Sequence, residues 1–166
     1  MAGLLRNLIT LLLALPGYGR QSIRAGFDCH FRVTPLDIGS HRLKSDRYLQ
    51  LAECAQLDLI IRSGLLGVML KNRYSFVNAA QLIRFHKPVA LFSRLRVRSQ
   101  VLWFDRSWVY FQHEFQVGSE LSARVLVKMK FKQGRKTIDP SVLLGQAPLQ
   151  RSAAVDSWNA SLAALD

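Results

Sequence analysis

Cysteine is scarce in this chain, and the short motifs of several enzyme classes are missing from it. The two cysteines, Cys29 and Cys54, have no metal-like spacing and sit among apolar neighbours. A zinc site or a disulfide framework is therefore not expected, and both read as buried free thiols in a reducing compartment, hence a cytoplasmic location. No glycine-rich phosphate loop, no His-Glu-x-x-His and no Gly-x-Ser-x-Gly occurs, which removes the support for nucleotide-hydrolase, zinc-hydrolase and serine-hydrolase readings. No metal and no cofactor is expected. Acidic residues are also few: 11 Asp and Glu stand against 23 Lys and Arg, a net charge of +12. Such a surface attracts polyanions. No RNP signature, zinc-finger spacing or helix-turn-helix pattern accompanies the charge, so nucleic acid ranks last among the partners.

A long apolar run is missing too. Residues 4–15 are apolar except for Arg6, Asn7 and Thr10, but a bilayer span needs about 20 such residues. The segment resembles a signal-peptide core without an evident small-x-small cleavage site. Two readings stay open: it docks on its own domain or on a partner subunit, the favoured one, or it lies on a membrane surface with Arg20 and Arg24 behind it.

What is present is one compact domain of alternating pattern. The chain has 166 residues, 49% of them hydrophobic, close to the single-domain norm of about 150. Phe27, Cys29, Phe31 and Val33 alternate with Asp28, His30, Arg32 and Thr34, a strand that Pro35 ends. After a loop from Asp37 to Arg42, Ser45 or Asp46 caps a helix with apolar positions Leu49, Ala52, Leu57, Ile60 and Ile61, which runs to Gly64. Downstream the period becomes two. Phe76–Phe85 reads as a strand with Val77, Ala79, Gln81, Ile83 and Phe85 on one side, leaving Asn78 on the other. Leu95–Trp103, Trp108–Val117 and Leu121–Lys132 follow as hairpin-linked strands. One long helix and about five strands, each with an apolar face, pack most economically when the sheet wraps the helix, an α+β arrangement. The organisation expected is an apolar segment over 1–26, the domain over 27–148 and an extension over 149–166. In that extension Trp158, Leu162 and Leu165 fall at approximate helical spacing.

The stretches 31–66, 82–115 and 122–131 resemble, in order, the hotdog-fold thioesterases, in particular their thioesterase-like branch related to 4-hydroxybenzoyl-CoA thioesterases. The resemblance implies a hotdog fold, an antiparallel sheet of about five strands around one long central helix. It also implies hydrolysis of an acyl-CoA thioester, and a homodimer or dimer of dimers. Relatives carry Asp-x-Asp, then a Gly-His-Met-Asn-Asn-like run, then Arg-Tyr-Leu. Here Arg47, Tyr48 and Leu49 match, whereas one Asp and both Asn are absent from the run between.

Thioester hydrolysis needs a carboxylate or imidazole to attack or to activate water, and N–H donors facing the carbonyl oxygen. A helix N-terminus supplies such donors. The catalytic candidates are Asp37, Glu53 and His41. Asp37 is alternatively a turn residue bonding its own loop, Glu53 a solvated helix residue, and His41 an exposed loop residue. For substrate contact the candidates are Tyr48, Asn78, Arg84, His86 and Lys87. Tyr48 also reads as a packed ring, Asn78 as an outward position on the pleat. The basic residues suit the phosphates of coenzyme A; Arg94, Arg96 and Arg98 extend that cluster. The reading is thus an acyl-CoA thioesterase, with a non-catalytic acyl-CoA or acyl-carrier-protein binding module as the alternative, and membrane-surface contact through residues 4–15 as a third possibility.

Overall fold

The computed structural model describes residues 15–19, 23–146 and 152–165. Except for Leu15, the apolar segment over 4–15 lies outside the described residues, and so do its expected docking and membrane contact. Strand β1 spans Phe27–Arg32 and helix α1 Ser45–Arg62. Helix α2 follows at Leu65–Asn72. Four long strands come next: β2 at Ser75–Phe85, β3 at Arg94–Phe104, β4 at Val109–Val117 and β5 at Glu120–Gln133. A short β6 (Lys136–Ile138) and helices α3 (Ser141–Leu144) and α4 (Ala153–Ala163) complete the order. All strand pairs are antiparallel, in the order β1-β3-β4-β5-β2 with β6 on β5.

The curled sheet presents its apolar face to α1, which packs on β1, β3 and β5. Leu51, Ala52, Ala55, Leu59 and Ile60 of the helix meet Phe111, Phe115, Val125, Met129 and Phe131 of the strands in one core. Each of these side chains larger than alanine contributes roughly 1.5–3 kcal/mol when taken out of water. Burial is wider than the single face that periodicity suggests: Gln56 and Asp58 are enclosed as well, Asp58 held by Arg62 at 2.8 Å. The N-cap is Lys44 rather than Ser45 or Asp46, and no side chain caps the helix.

The long helix expected to run to Gly64 ends at Arg62, and it is not the single helix at the sheet, because an eight-residue helix that was not expected follows it. Gly64, at φ 78°, ends the first as a left-handed residue. The Tyr18 hydroxyl fixes the break, donating to the Gly64 carbonyl at 3.1 Å and accepting from the Gly67 N–H at 3.0 Å. A Cβ at position 67 would collide with that hydroxyl, so glycine is what lets Tyr18 reach the break. Helix α2 buries Leu65 and Met69 and packs Leu66 partly against the core, too short an apolar period to stand out in the sequence.

On the outer face of the sheet, Val155 and Trp158 of α4 bury against Tyr110 and Leu126. Asn159 accepts hydrogen bonds from Tyr110 Oη at 3.0 Å and Lys128 Nζ at 2.8 Å. The C-terminal segment thus packs back as a helix, but Leu165 falls beyond its end and is exposed.

A further buried polar residue is an imidazole. His113 on β4 is fully buried, with Nδ1 2.8 Å from Ser99 Oγ and no partner at Nε2. Burial pushes its pKa down to about 3, so the folded protein holds a neutral imidazole. The unfolded chain takes up a proton first, near pH 6.5. The stability from this site is complete above that value and is lost as pH falls toward the folded pKa. Denaturant titrations should therefore give a wild type about 2 kcal/mol less stable at pH 5 than at pH 7 from this residue, a difference that His113→Gln removes.

Candidate active site

Between Asp37 and the start of α1 the chain forms a tight hairpin. Ile38 bridges Leu43, Arg42 bridges Ala90, and the Leu43 N–H donates to Val89 at 2.9 Å. The segment after β2 is thereby held over the first turn of α1. Arg42, Leu43, Ser45 and Tyr48 from one side, and Phe85, His86, Lys87 and Pro88 from the other, line a cleft of about 250 Å³. The Tyr48 ring is wedged edge-on between Phe85 and Phe115, at 5.2 and 5.3 Å, and burial pushes its hydroxyl pKa up. Tyr48, His86 and Lys87 are therefore brought together, with Arg42 joining them. Arg42 was missed, because its bridge to Ala90 is a long-range pairing that no local pattern reports.

Arg84 stands apart. It pairs with Arg124 on the outer face of the sheet, and Arg94, Arg96 and Arg98 also alternate with the buried Leu95, Val97 and Ser99 to face outward. The basic cluster is thus split, with only His86, Lys87 and Arg42 at the cleft.

Asp37 is 3% exposed. Its Oδ2 accepts from the Thr34 N–H at 2.9 Å and from Thr34 Oγ1 at 2.7 Å, a reciprocal capping box on the short turn Pro35–Asp37. Its carbonyl accepts from the Lys44 N–H at 3.0 Å, which ties the turn to the N-cap of α1. His41 lies on the exposed tip of the hairpin and lines neither cleft described here.

A second cleft, of about 520 Å³, opens between α1 and the edge strand β2, lined by Glu53, Leu57, Phe76 and Asn78. A register shift in β2 creates it. Asn78 pairs with Met129 and Ala80 with Lys128, leaving Ala79 as the extra residue of a bulge. Strict alternation puts Asn78 outside. The bulge reverses the pleat on its N-terminal side, so Phe76 and Asn78 join Gln81, Ile83 and Phe85 on the helix-facing surface. A hydrogen bond from Gln56 Nε2 to Asn78 Oδ1, long at 3.5 Å, marks the new direction. The cleft thus joins Glu53 and Asn78, two separate sequence candidates. Two residues that sequence reasoning did not single out lie behind this region: Gln56 Oε1 and Gln81 Nε2 are buried without hydrogen-bond partners and line neither cleft.

Neither Cys29 nor Cys54 lines either cleft, and burial, aided by Asp58, pushes the Cys29 thiol up to about 12, which disqualifies it as a thiolate nucleophile near neutrality. Among the described residues no cluster of His, Cys, Asp and Glu is placed to hold a metal, and no helix is long and apolar enough to cross a membrane.

A family model described as the thioesterase-like superfamily matches residues 32–157. The chain belongs to this superfamily. A probable thioesterase of Saccharomyces cerevisiae is 30% identical over 122 residues, covering 66% of this chain. The chain spans only 53% of that protein's length. Among solved structures, the probable thioesterase YbaW of Escherichia coli superposes with a TM-score of 0.65 at 17% identity, over 70% of this chain and 92% of that one. A 1,4-dihydroxy-2-naphthoyl-CoA thioesterase from Synechocystis gives 0.59 at 16% identity, over 69% and 88%. These likenesses concern the fold, and the curled antiparallel sheet over α1 is the hotdog arrangement that the resemblance implied. The matched residues 32–157 span both clefts.

The capping geometry makes a prediction for Asp37. Asp37→Ala leaves the Thr34 donors unpaired beneath the α1 N-terminus, and should cost about 1–2 kcal/mol in a denaturant melt. Asp37→Asn, which retains an acceptor oxygen, should cost less.

Proposed function

We propose that this protein is an acyl-CoA thioesterase whose chemistry takes place in the cleft between α1 and β2, with Glu53 as its working carboxylate. The observation that carries this reading is the approach of Glu53 and Asn78 in an open cleft large enough for an acyl group. Asp37 also flanks the α1 N-terminus, but its carboxylate already holds Thr34, which suits a residue that fixes the loop better than one that takes up a proton. In the proposed reaction Glu53 accepts a proton from water as the water oxygen attacks the thioester carbon. The carbon–sulfur bond breaks, and the proton passes to the departing thiolate. The uncapped first N–H groups of α1, around Asp46 to Tyr48, stabilise the carbonyl oxygen as it gains charge. Arg42, His86 and Lys87 receive phosphates of coenzyme A at the mouth. Arg84, on the outer face, contributes to the surrounding positive field rather than to a contact in the cleft.

A single chain leaves this cleft open along β2, which forms an edge of the sheet. We propose a homodimer that closes it, so that Glu53 of one subunit works beside the α1 N-terminus of the other. The Val77, Leu82 and Phe85 side chains exposed along that edge favour such pairing. Free thiols and coenzyme A chemistry both suit the cytoplasm, which is the proposed location. The alternative, a module that binds acyl-CoA or an acyl carrier protein without hydrolysis, draws on the missing Asn pair of the loop.

Two experiments test these proposals. Glu53→Gln should lower thiol release from acyl-CoA at least about 100-fold without changing the melting temperature. Unchanged turnover would instead return the catalytic role to Asp37, where Asp37→Asn is the matching variant. Ala79, the bulge residue, pairs with no residue of β5, so Ala79→Pro spares the fold while blocking strand addition at the edge. Analytical ultracentrifugation should show loss of the dimer and the assay loss of activity together; a fully active monomer would refute the shared site.

A further inference from the structure

At the end of the sheet where β1 stops and β3 begins, three loop segments form one cluster. The Val33 N–H donates to the Ser93 carbonyl at 3.1 Å, and the Val33 carbonyl accepts from the Phe92 N–H at 3.0 Å. Ala90 bridges on its other side to Arg42 of the hairpin. Residues 88–92 are apolar throughout, yet Val89 alone among them is buried. Phe92 is 58% exposed, and Leu36, on the turn Pro35–Asp37 that follows Val33, is 73% exposed. Phe92 also lies in the left-handed region, at φ 64°, within a turn that the Ser93 N–H closes by donating to the Ala90 carbonyl at 3.3 Å. That position of a turn ordinarily takes glycine or asparagine, and a bulky residue there is strained. The fold thus holds an aromatic ring in an unfavourable conformation and leaves more than half of it in water, a combination that packing does not explain.

Every exposed charge on these segments is positive. From residue 29 to residue 45 Asp37 is the sole acid, and it is buried; from residue 85 to residue 104 there is none. Arg32 and Arg94, both exposed, oppose each other in the β1–β3 register, a like-charge pair that an anion relieves. Arg42 and Lys44 add to them from the hairpin. Large apolar side chains flanked by cations match the interface of an anionic bilayer, where the ring and the leucine enter the acyl boundary while the cations meet lipid phosphates. We propose that this loop cluster is a membrane-docking surface for anionic lipid. It is separate from residues 4–15 and uses loops rather than a helix. A second copy of the chain is a poorer occupant, because an isologous contact here sets Arg32 and Arg94 against their own like charges. A soluble polyanion would account for the arginines but not for Leu36 and Phe92. Arg42 also lines the cleft of about 250 Å³, so docking holds the mouth of that cleft at the lipid surface. The inference goes beyond the proposed hydrolysis and does not rest on it.

Co-sedimentation of the full chain with lipid vesicles tests this. Wild type should partition onto vesicles of equal parts phosphatidylglycerol and phosphatidylcholine at least about tenfold better than onto phosphatidylcholine alone, and less strongly as salt is raised. Leu36→Ser combined with Phe92→Gly should lower that partition at least about tenfold, and Arg32→Gln or Arg94→Gln about fivefold each. Phe92→Gly alone should not lower the melting temperature, since glycine suits the backbone there; a ring that serves the fold would instead lower it and leave vesicle binding intact. The inference is overturned if wild type does not bind the anionic vesicles, or if the Leu36→Ser, Phe92→Gly variant binds them as wild type does. Full competition by inorganic polyphosphate for a binding that both apolar substitutions spare would mark a soluble-polyanion site instead. A smaller oligomer of that variant in analytical ultracentrifugation, with vesicle binding retained, would mark a contact between copies and overturn it equally.

Discussion

Enclosing helix α1 is the constraint on which the rest of this structure depends. Ten of its eighteen residues are buried, among them the polar Gln56 and Asp58. The enclosure comes from a curled sheet with two edges, and a sheet with edges cannot surround a helix completely. At the far end of α1 the gap is covered by chain that precedes β1: Tyr18 binds both sides of the helix break, and Gly17 packs against Arg62. Along β2 no such cover exists among the described residues. The cleft with Glu53 is therefore a consequence of how the helix is packed, and it is where a second copy of the chain has most apolar surface to cover.

The bulge at Ala79 decides what that cleft contains. One extra residue in β2 reverses the pleat for everything before it, so that Phe76 and Asn78 face the helix. Without it the wall opposite Glu53 would carry Val77 in place of Asn78, and the Gln56 amide N–H would lose its contact with Asn78 Oδ1. The opposite wall of the sheet is settled by different forces. There α4 covers Tyr110 and Leu126 with Trp158, and Lys128 and Lys130 lie over the Trp108 ring at 4.5 and 3.9 Å. The inner surface of the sheet thus carries the proposed chemistry, and the outer surface carries packing and charge.

Much of this was legible in the residues because it depends on local period. The alternation of β1, β3, β4 and β5, the helix from Ser45 to Gly64 and the return of Trp158 to the domain all follow from patterns of two and 3.6. What escaped depends on partners distant in sequence. The bulge is visible only once Asn78 and Ala80 are paired with Met129 and Lys128. Arg42 reaches the cleft through Ala90, and Arg84 leaves it because its register opposes Arg124. Asp37 was read both as a base and as a turn residue; the choice needed the positions of Thr34 and Lys44, since the sequence alone carries no signal for which way a short carboxylate turns.

The chain thus combines a hotdog scaffold with a cleft whose carboxylate, Glu53, lies on the helix, while Asp37 of the preceding loop is buried against Thr34. The central claim is that the α1–β2 cleft hydrolyses a thioester. Free-thiol release by the purified wild-type protein across acyl-CoAs from acetyl to palmitoyl tests it most directly. The account predicts enzymatic turnover of some members of that series, well above the spontaneous rate. Binding of the same compounds with no thiol released from any of them would contradict it and leave a binding module.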